Sequence, residues 1–85
     1  MKVQAQISIY PLKTNSLSVP IDEFCRTLEK NGLKVETKTM SSSICGESDI
    51  VFKSVQEAFR KLVEEYDVVM DLKVSNTCPD EMEKI

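Results

Sequence analysis

From Val3 to Tyr10 the chain alternates, with Val3, Ala5, Ile7 and Ile9 on one side and Gln4, Gln6, Ser8 and Tyr10 on the other. A period of two predicts a β-strand whose faces meet different surroundings, and Pro11, with no amide proton to donate, is expected to end it. The period then changes. Ser18 stands where a helix N-cap would sit, Pro20 suits a first turn, and Ile21, Phe24, Cys25 and Leu28 recur at helical spacing before Asn31-Gly32 supplies a stop. Leu33 to Met40 reads as a second strand, with Leu33, Val35 and Thr37 against Lys34, Glu36 and Lys38, a charged side that suits a sheet edge. Ser41 to Glu47 reads as a third, with Ser41, Ser43 and Cys45 facing away from Ser42, Ile44 and Gly46. A second helix is expected from about Asp49 to Glu65, on the stripe Phe52, Val55, Phe59, Leu62 and Tyr66. Val68 to Ser75 completes the pattern, with Val68, Met70, Leu72 and Val74 opposed to Val69, Asp71, Lys73 and Ser75, and the tail Asn76 to Ile85 reads as peripheral.

This β-α-β-β-α-β order, with right-handed crossovers, predicts an α+β, ferredoxin-like sandwich. Its antiparallel four-stranded sheet runs in the order 4-1-3-2 with two helices on one face, and residues 1–85 read as a single ligand-binding domain. The face without helices would then carry Gln4, Gln6, Ser8, Tyr10, Ser41, Ser43, Cys45, Asp71, Lys73 and Ser75. A solvated sheet normally shows Lys, Glu and Thr, so neutral amides and hydroxyls gathered at central strands point to contact with something other than water. Gln6, Ser8 and Tyr10 supply donors and acceptors suited to a flat heteroaromatic such as an aminopyrimidine, and Tyr10 could stack on a ring. The competing readings are a wet surface or a sheet-to-sheet contact. Asp71, mid-sheet on the same face, would favour a cationic ligand or a lysine such as Lys73 or Lys34.

Composition narrows the choice. A chain of 85 residues buries only roughly 60–65% of its unfolded surface, so a disulfide, a metal or self-association is expected to support it. The three cysteines, at positions 25, 45 and 78, form an odd and widely spaced set, which predicts reduced thiols in a cytoplasmic setting. With no histidine and no C-x-x-C pair, no metal site is expected, which leaves a homo-oligomer. Met1 to Ile9 lack the basic start and apolar run of a signal peptide, and no stretch approaches membrane-spanning length, so no direct membrane insertion is expected. A net charge of −3 with interspersed signs, and no stacked aromatics on the sheet, argue against nucleic acid. Catalysis finds little footing: Cys45 has no histidine to act as its base, Glu57, Glu64 and Glu65 fall on an exposed helix face, and the first loop offers only Lys13 to a phosphate. No cofactor is expected.

At Ile7-Ser8-Ile9-Tyr10-Pro11-Leu12, Ser41-Ser42-Ser43-Ile44-Cys45-Gly46 and Ser75-Asn76-Thr77-Cys78-Pro79 the chain resembles the YkoF-like family of thiamine- and hydroxymethylpyrimidine-binding proteins. The likeness covers nearly the whole length. It implies ferredoxin-like domains associated in pairs, as a dimer or dimer of dimers, that bind thiamine or its hydroxymethylpyrimidine half in the cytoplasm without catalysis, for transport, salvage or sensing. Ser42 stands at the family's Ser/Thr position, Gln6 and Tyr10 match the first-strand motif, and Ser75 matches the last, while Cys45 replaces a residue that is often charged in relatives. The alternation, however, puts Ser42 on the helix side and Gln6, Tyr10 and Ser75 on the open side, so that either the site wraps a sheet edge or the register slips by one, which would favour Ser43. The ligand-binding candidates are therefore Gln6, Ser8, Tyr10, Ser42, Ser43, Asp71 and Ser75. An assembly module with no small-molecule ligand is the alternative.

Overall fold

The computed structural model describes residues 1–78; Pro79 and the rest of the tail read as peripheral lie outside the described residues. In chain order the elements are β1 (Lys2–Leu12), α1 (Ser18–Lys30), β2 (Val35–Thr37), β3 (Ser42–Glu47), α2 (Ser48–Leu62) and β4 (Asp67–Ser75). The sheet is four-stranded and antiparallel in the order β2-β3-β1-β4, which is the expected 4-1-3-2 arrangement read from its other edge.

The register follows the alternation. Ala5 stands opposite Ile44 and Ile7 opposite Ser42, while Gln6 stands opposite Ser43 on the other face. Val3, Ala5, Ile7 and Ile44 are buried beneath Phe24 and Leu28 of α1 and Val51, Val55, Ala58 and Leu62 of α2, so both helices cover one side of the sheet. Burial of this apolar surface is the main favourable term for so small a chain.

Several boundaries differ from expectation. β1 runs through Pro11 to Leu12, because its pairing with β3 ends at Ile7 and only β4 accompanies it beyond, so a missing amide is tolerated as at a sheet edge. Ser18 is the first helical residue, and Leu17 occupies the cap position without a side-chain hydrogen bond. α1 ends as predicted: Gly32 adopts φ +86°, and its amide reaches the Glu29 carbonyl at 3.0 Å while Leu33 N reaches the Leu28 carbonyl at 3.2 Å. β2 is much shorter than Leu33 to Met40, because Lys38 N bonds the Ser41 carbonyl at 2.7 Å and closes a turn.

On α2 the expected stripe holds at Val55 and Leu62, which are buried, and at Phe59 and Tyr66, which pack against the core, but not at Phe52. Val51, Ser54, Val55, Ala58 and Leu62 are buried, whereas Phe52 is 49% exposed. Small residues at 54 and 58 let the two helices approach, and Asn31 Nδ2 donates to Ser54 Oγ across them at 2.9 Å. Gly46 serves this packing too, since a Cβ there would stand 3.0 Å from Leu33 Cδ2 and 3.6 Å from Val51 Cγ2.

The expectation of three reduced thiols is corrected at two positions. Cys45 and Cys78 are paired as a disulfide, with Cα atoms 6.1 Å apart, and Cys25 alone is free. The chain turns after β4, where Thr77 N bonds Ser75 Oγ at 3.0 Å, and crosses β1 to reach β3. A partner 33 residues away has no local signature in the sequence.

Candidate ligand-binding site

β1 outlasts β3, and the gap beside its second half is where the surface becomes concave. Between that segment, the start of α1 and the turn joining β2 to β3 lies a hollow of about 460 Å³. Ile7, Ile9, Ile21 and Phe24 give it apolar walls, Leu17 and Met40 flank it, and Ser18, Asp22, Cys25 and Ser42 bring polar groups. Ile21 and Cys25 are the half-buried members of the α1 stripe, so the part of that stripe which fails to reach the core lines the hollow.

Ser42 is 6% exposed, and its hydroxyl lies 3.6 Å from the Cys25 sulfur. Burial pushes the Cys25 thiol up from its ordinary range, and the nearby Glu29 and Asp22 carboxylates push it the same way, against the opposing pull of the Ser42 hydrogen bond. The thiol is thus held in its protonated, weakly nucleophilic form. At the mouth, Lys38 is engaged by Glu36 at 3.2 Å, while Asp22 has no ion-pair partner among the described residues.

The uncovered face of the sheet carries two shallower, more polar hollows. Gln6, Ser8, Tyr10 and Asp71 come together with Met40, Ser41 and Lys73 around about 200 Å³. Gln6 Nε2 donates to Ser41 Oγ at 3.3 Å and Ser8 Oγ to the Met40 carbonyl at 3.0 Å, so these side chains brace the β2–β3 turn against β1. Ser43 and Ser75 line the neighbouring hollow of about 230 Å³ with Gln4 and Gln6. Asp71 forms no ion pair with Lys73 or Lys34 among the described residues.

Ser42 alone of the predicted residues is turned to the helix side, as the strand alternation requires, and no slip of register occurs. Yet the two sides are not separate, because Tyr10, Met40 and Ser41 border both the large hollow and the first polar one. Ile21, Asp22 and Cys25 line the hollow without being among the residues that the sequence marks for the site. The structure exposes them because β1 runs on to Leu12 while its pairing with β3 ends at Ile7, which leaves one flank of β1 without a strand.

Comparison with known proteins decides the family. The model of the thiamine-binding protein family matches residues 5–84. The chain belongs to that family. Among relatives of this thiamine-binding family, a Methanocaldococcus jannaschii protein, UPF0045 protein MJ1052, is 36% identical over 75 residues, covering 86% of this chain and 75% of its own. The crystal structure of MJ1052 superposes with a TM-score of 0.81 at 32% identity, over 98% of this chain and 94% of that one. A Thermotoga maritima protein provisionally assigned to thiamine biosynthesis or salvage gives a TM-score of 0.82 at 22% identity, over 99% and 98% of the two chains. Streptococcus pneumoniae protein SP2199 gives 0.85 at 17% identity, over 99% and 96%, and at that identity it speaks for the fold. Membership supports a thiamine-related role, and no helix among the described residues is long and apolar enough to cross a membrane.

Proposed function

We propose that residues 1–85 form one non-catalytic domain that binds thiamine or its hydroxymethylpyrimidine half and serves thiamine transport, salvage or sensing in the cytoplasm. The observation that carries this reading is the hollow of about 460 Å³ with apolar walls and a few converging polar groups. Small-molecule sites typically span about 300–1,000 Å³ and have this character. A flat aminopyrimidine fits between Ile9 and the α1 side chains, with the Ser42 hydroxyl as hydrogen-bond partner and Tyr10 as a ring at the rim. The thiazolium cation then lies toward Asp22, whose carboxylate offers it a charge of opposite sign.

Gln6, Ser8 and Asp71 are reached past the shared rim of Tyr10, Met40 and Ser41, and Ser43 and Ser75 mark the outer limit of the site. Membership of the family and the protonated state of Cys25, the only thiol at the hollow, both favour holding a ligand over transforming it. The chain also pairs with itself on this reading, as a thin core would require.

Isothermal calorimetry with thiamine and with hydroxymethylpyrimidine tests the assignment. Saturable heat with either ligand is expected. A folded protein that gives neither heat nor a thermal shift with both compounds would overturn it.

A further inference from the structure

β4 is long and regular, and among the described residues its outer side is unpaired. Its inner side pairs with β1 without a bulge from Ser75 opposite Gln4 to Asp67 opposite Leu12, and among the described residues no strand lies beyond it. The other edge of the sheet is built differently. β2 has 3 residues and is flanked by Lys34 and Lys38, the short and charged form that discourages strand addition. β4 has 9 residues, a single lysine, and neither proline nor glycine.

Its helix-side row is also incompletely covered: Met70 and Leu72 are half-buried against the core, and Val74 is 41% exposed. Residues 76–78, which follow β4, turn away from this outer edge, because the Cys45–Cys78 bridge draws them inward across β1. An edge with unpaired amides and carbonyls and a partly bare apolar row is a template for another strand.

We propose that the outer edge of β4 pairs antiparallel with β4 of a second copy of this chain about a twofold axis at Leu72. The inference rests on the self-association reading given above and specifies its interface. The sequence of β4 selects this register. With the axis at Leu72, Asp71 stands opposite Lys73 of the partner subunit and Lys73 opposite Asp71 of the partner subunit, on the open face. On the helix side Leu72 meets its own copy, and Met70 meets Val74 of the partner subunit, so the half-bare apolar rows cover each other.

An axis at Asp71 would set two carboxylates face to face, and one at Lys73 two ammonium groups. An axis falling between residues would place apolar side chains across from polar ones and throw the helix layers to opposite faces. The symmetric contact is isologous, so each complementary pair occurs twice. It also engages Asp71 with a cation, and leaves Asp22 as the unpaired carboxylate beside the large hollow.

Sedimentation equilibrium of the wild-type protein and of charge variants of β4 tests this, with circular dichroism to verify folding. The wild type is expected to be a dimer or an even multiple of one. Asp71→Lys alone and Lys73→Asp alone are each expected to weaken association about tenfold or more, since each sets like charges opposite one another at two symmetric positions, and the double reversal is expected to restore it. A wild type that is monomeric overturns both the self-association reading and this interface. One that associates yet ignores both single reversals, or is not restored by the double, overturns the interface alone. A monomer that associates only after removal of residues 79–85 assigns the edge to the chain's own tail and overturns the proposal as well.

Discussion

Ser42 and Ile7 stand directly opposite one another in the β1–β3 ladder, the last pair before β1 continues without β3. Both are nearly inaccessible, and both contribute to the large hollow. A hydroxyl in an apolar row, at the point where the row loses its cover, is placed to meet an incoming polar group.

Ser42→Ala is accordingly expected to lower thiamine affinity by about 1 kcal/mol, roughly fivefold, with little change in fold, since one hydrogen bond is lost and the cavity barely grows. Titration calorimetry of both proteins checks this. Gln6→Ala and Ser43→Ala are expected to weaken binding less, because their side chains lie beyond the rim. A larger loss at Gln6 than at Ser42 would move the site to the open face.

Asp22→Asn is expected to weaken thiamine more than neutral hydroxymethylpyrimidine, because only thiamine carries the thiazolium charge. The carboxylate is exposed, so the difference between the ligands should shrink as salt rises. Competition measurements at low and high ionic strength read this directly. Equal losses for both ligands would place the cation elsewhere.

The pH dependence of stability carries a signature of Cys25. Its thiol is raised above the 9.0 of an ordinary cysteine, foremost by burial, so as pH climbs past about 9 the unfolded chain releases the proton while the folded chain keeps it. The unfolded state then binds fewer protons and stability falls, until the folded thiol ionises as well. Below pH 8 the thiol is neutral in both states and contributes no slope. Thermal melts between pH 8 and 10 should therefore show a smaller alkaline loss for Cys25→Ala than for the wild type. Ser42→Ala should make the thiol slower to alkylate, since it removes the hydrogen bond that opposes the rise.

Reduction of the Cys45–Cys78 bridge releases a loop spanning 33 residues. The chain-entropy argument gives up to about 3–4 kcal/mol for a loop of that length. A reducing agent is expected to lower the melting temperature of the wild type and to leave Cys78→Ser unchanged. Intact mass before and after reduction reads the bridge directly.

The alternation of β1 and β4 was readable because each apolar row is unbroken, from Val3 to Ile9 and from Val68 to Val74, and pairing with neighbours only reinforced it. β2 was overread. Thr37 to Ser41 has the composition of a strand, yet a turn formed there because Lys38 could bond back to Ser41. On α2 the bulky Phe52 and the smaller Val51 and Ala58 all recur at helical spacing, so hydrophobicity alone does not choose between them. Only the presence of α1 selects the smaller side chains, since close helix packing requires them. The helix-side hollow was legible in one residue, Ser42, and its remaining walls arise from tertiary juxtaposition that no local pattern encodes.

Tyr10, Met40 and Ser41 form a thin partition with a chamber on either side. A substitution at any of these three positions therefore alters the walls of both chambers at once, so a variant made to probe one of them is also a variant of the other.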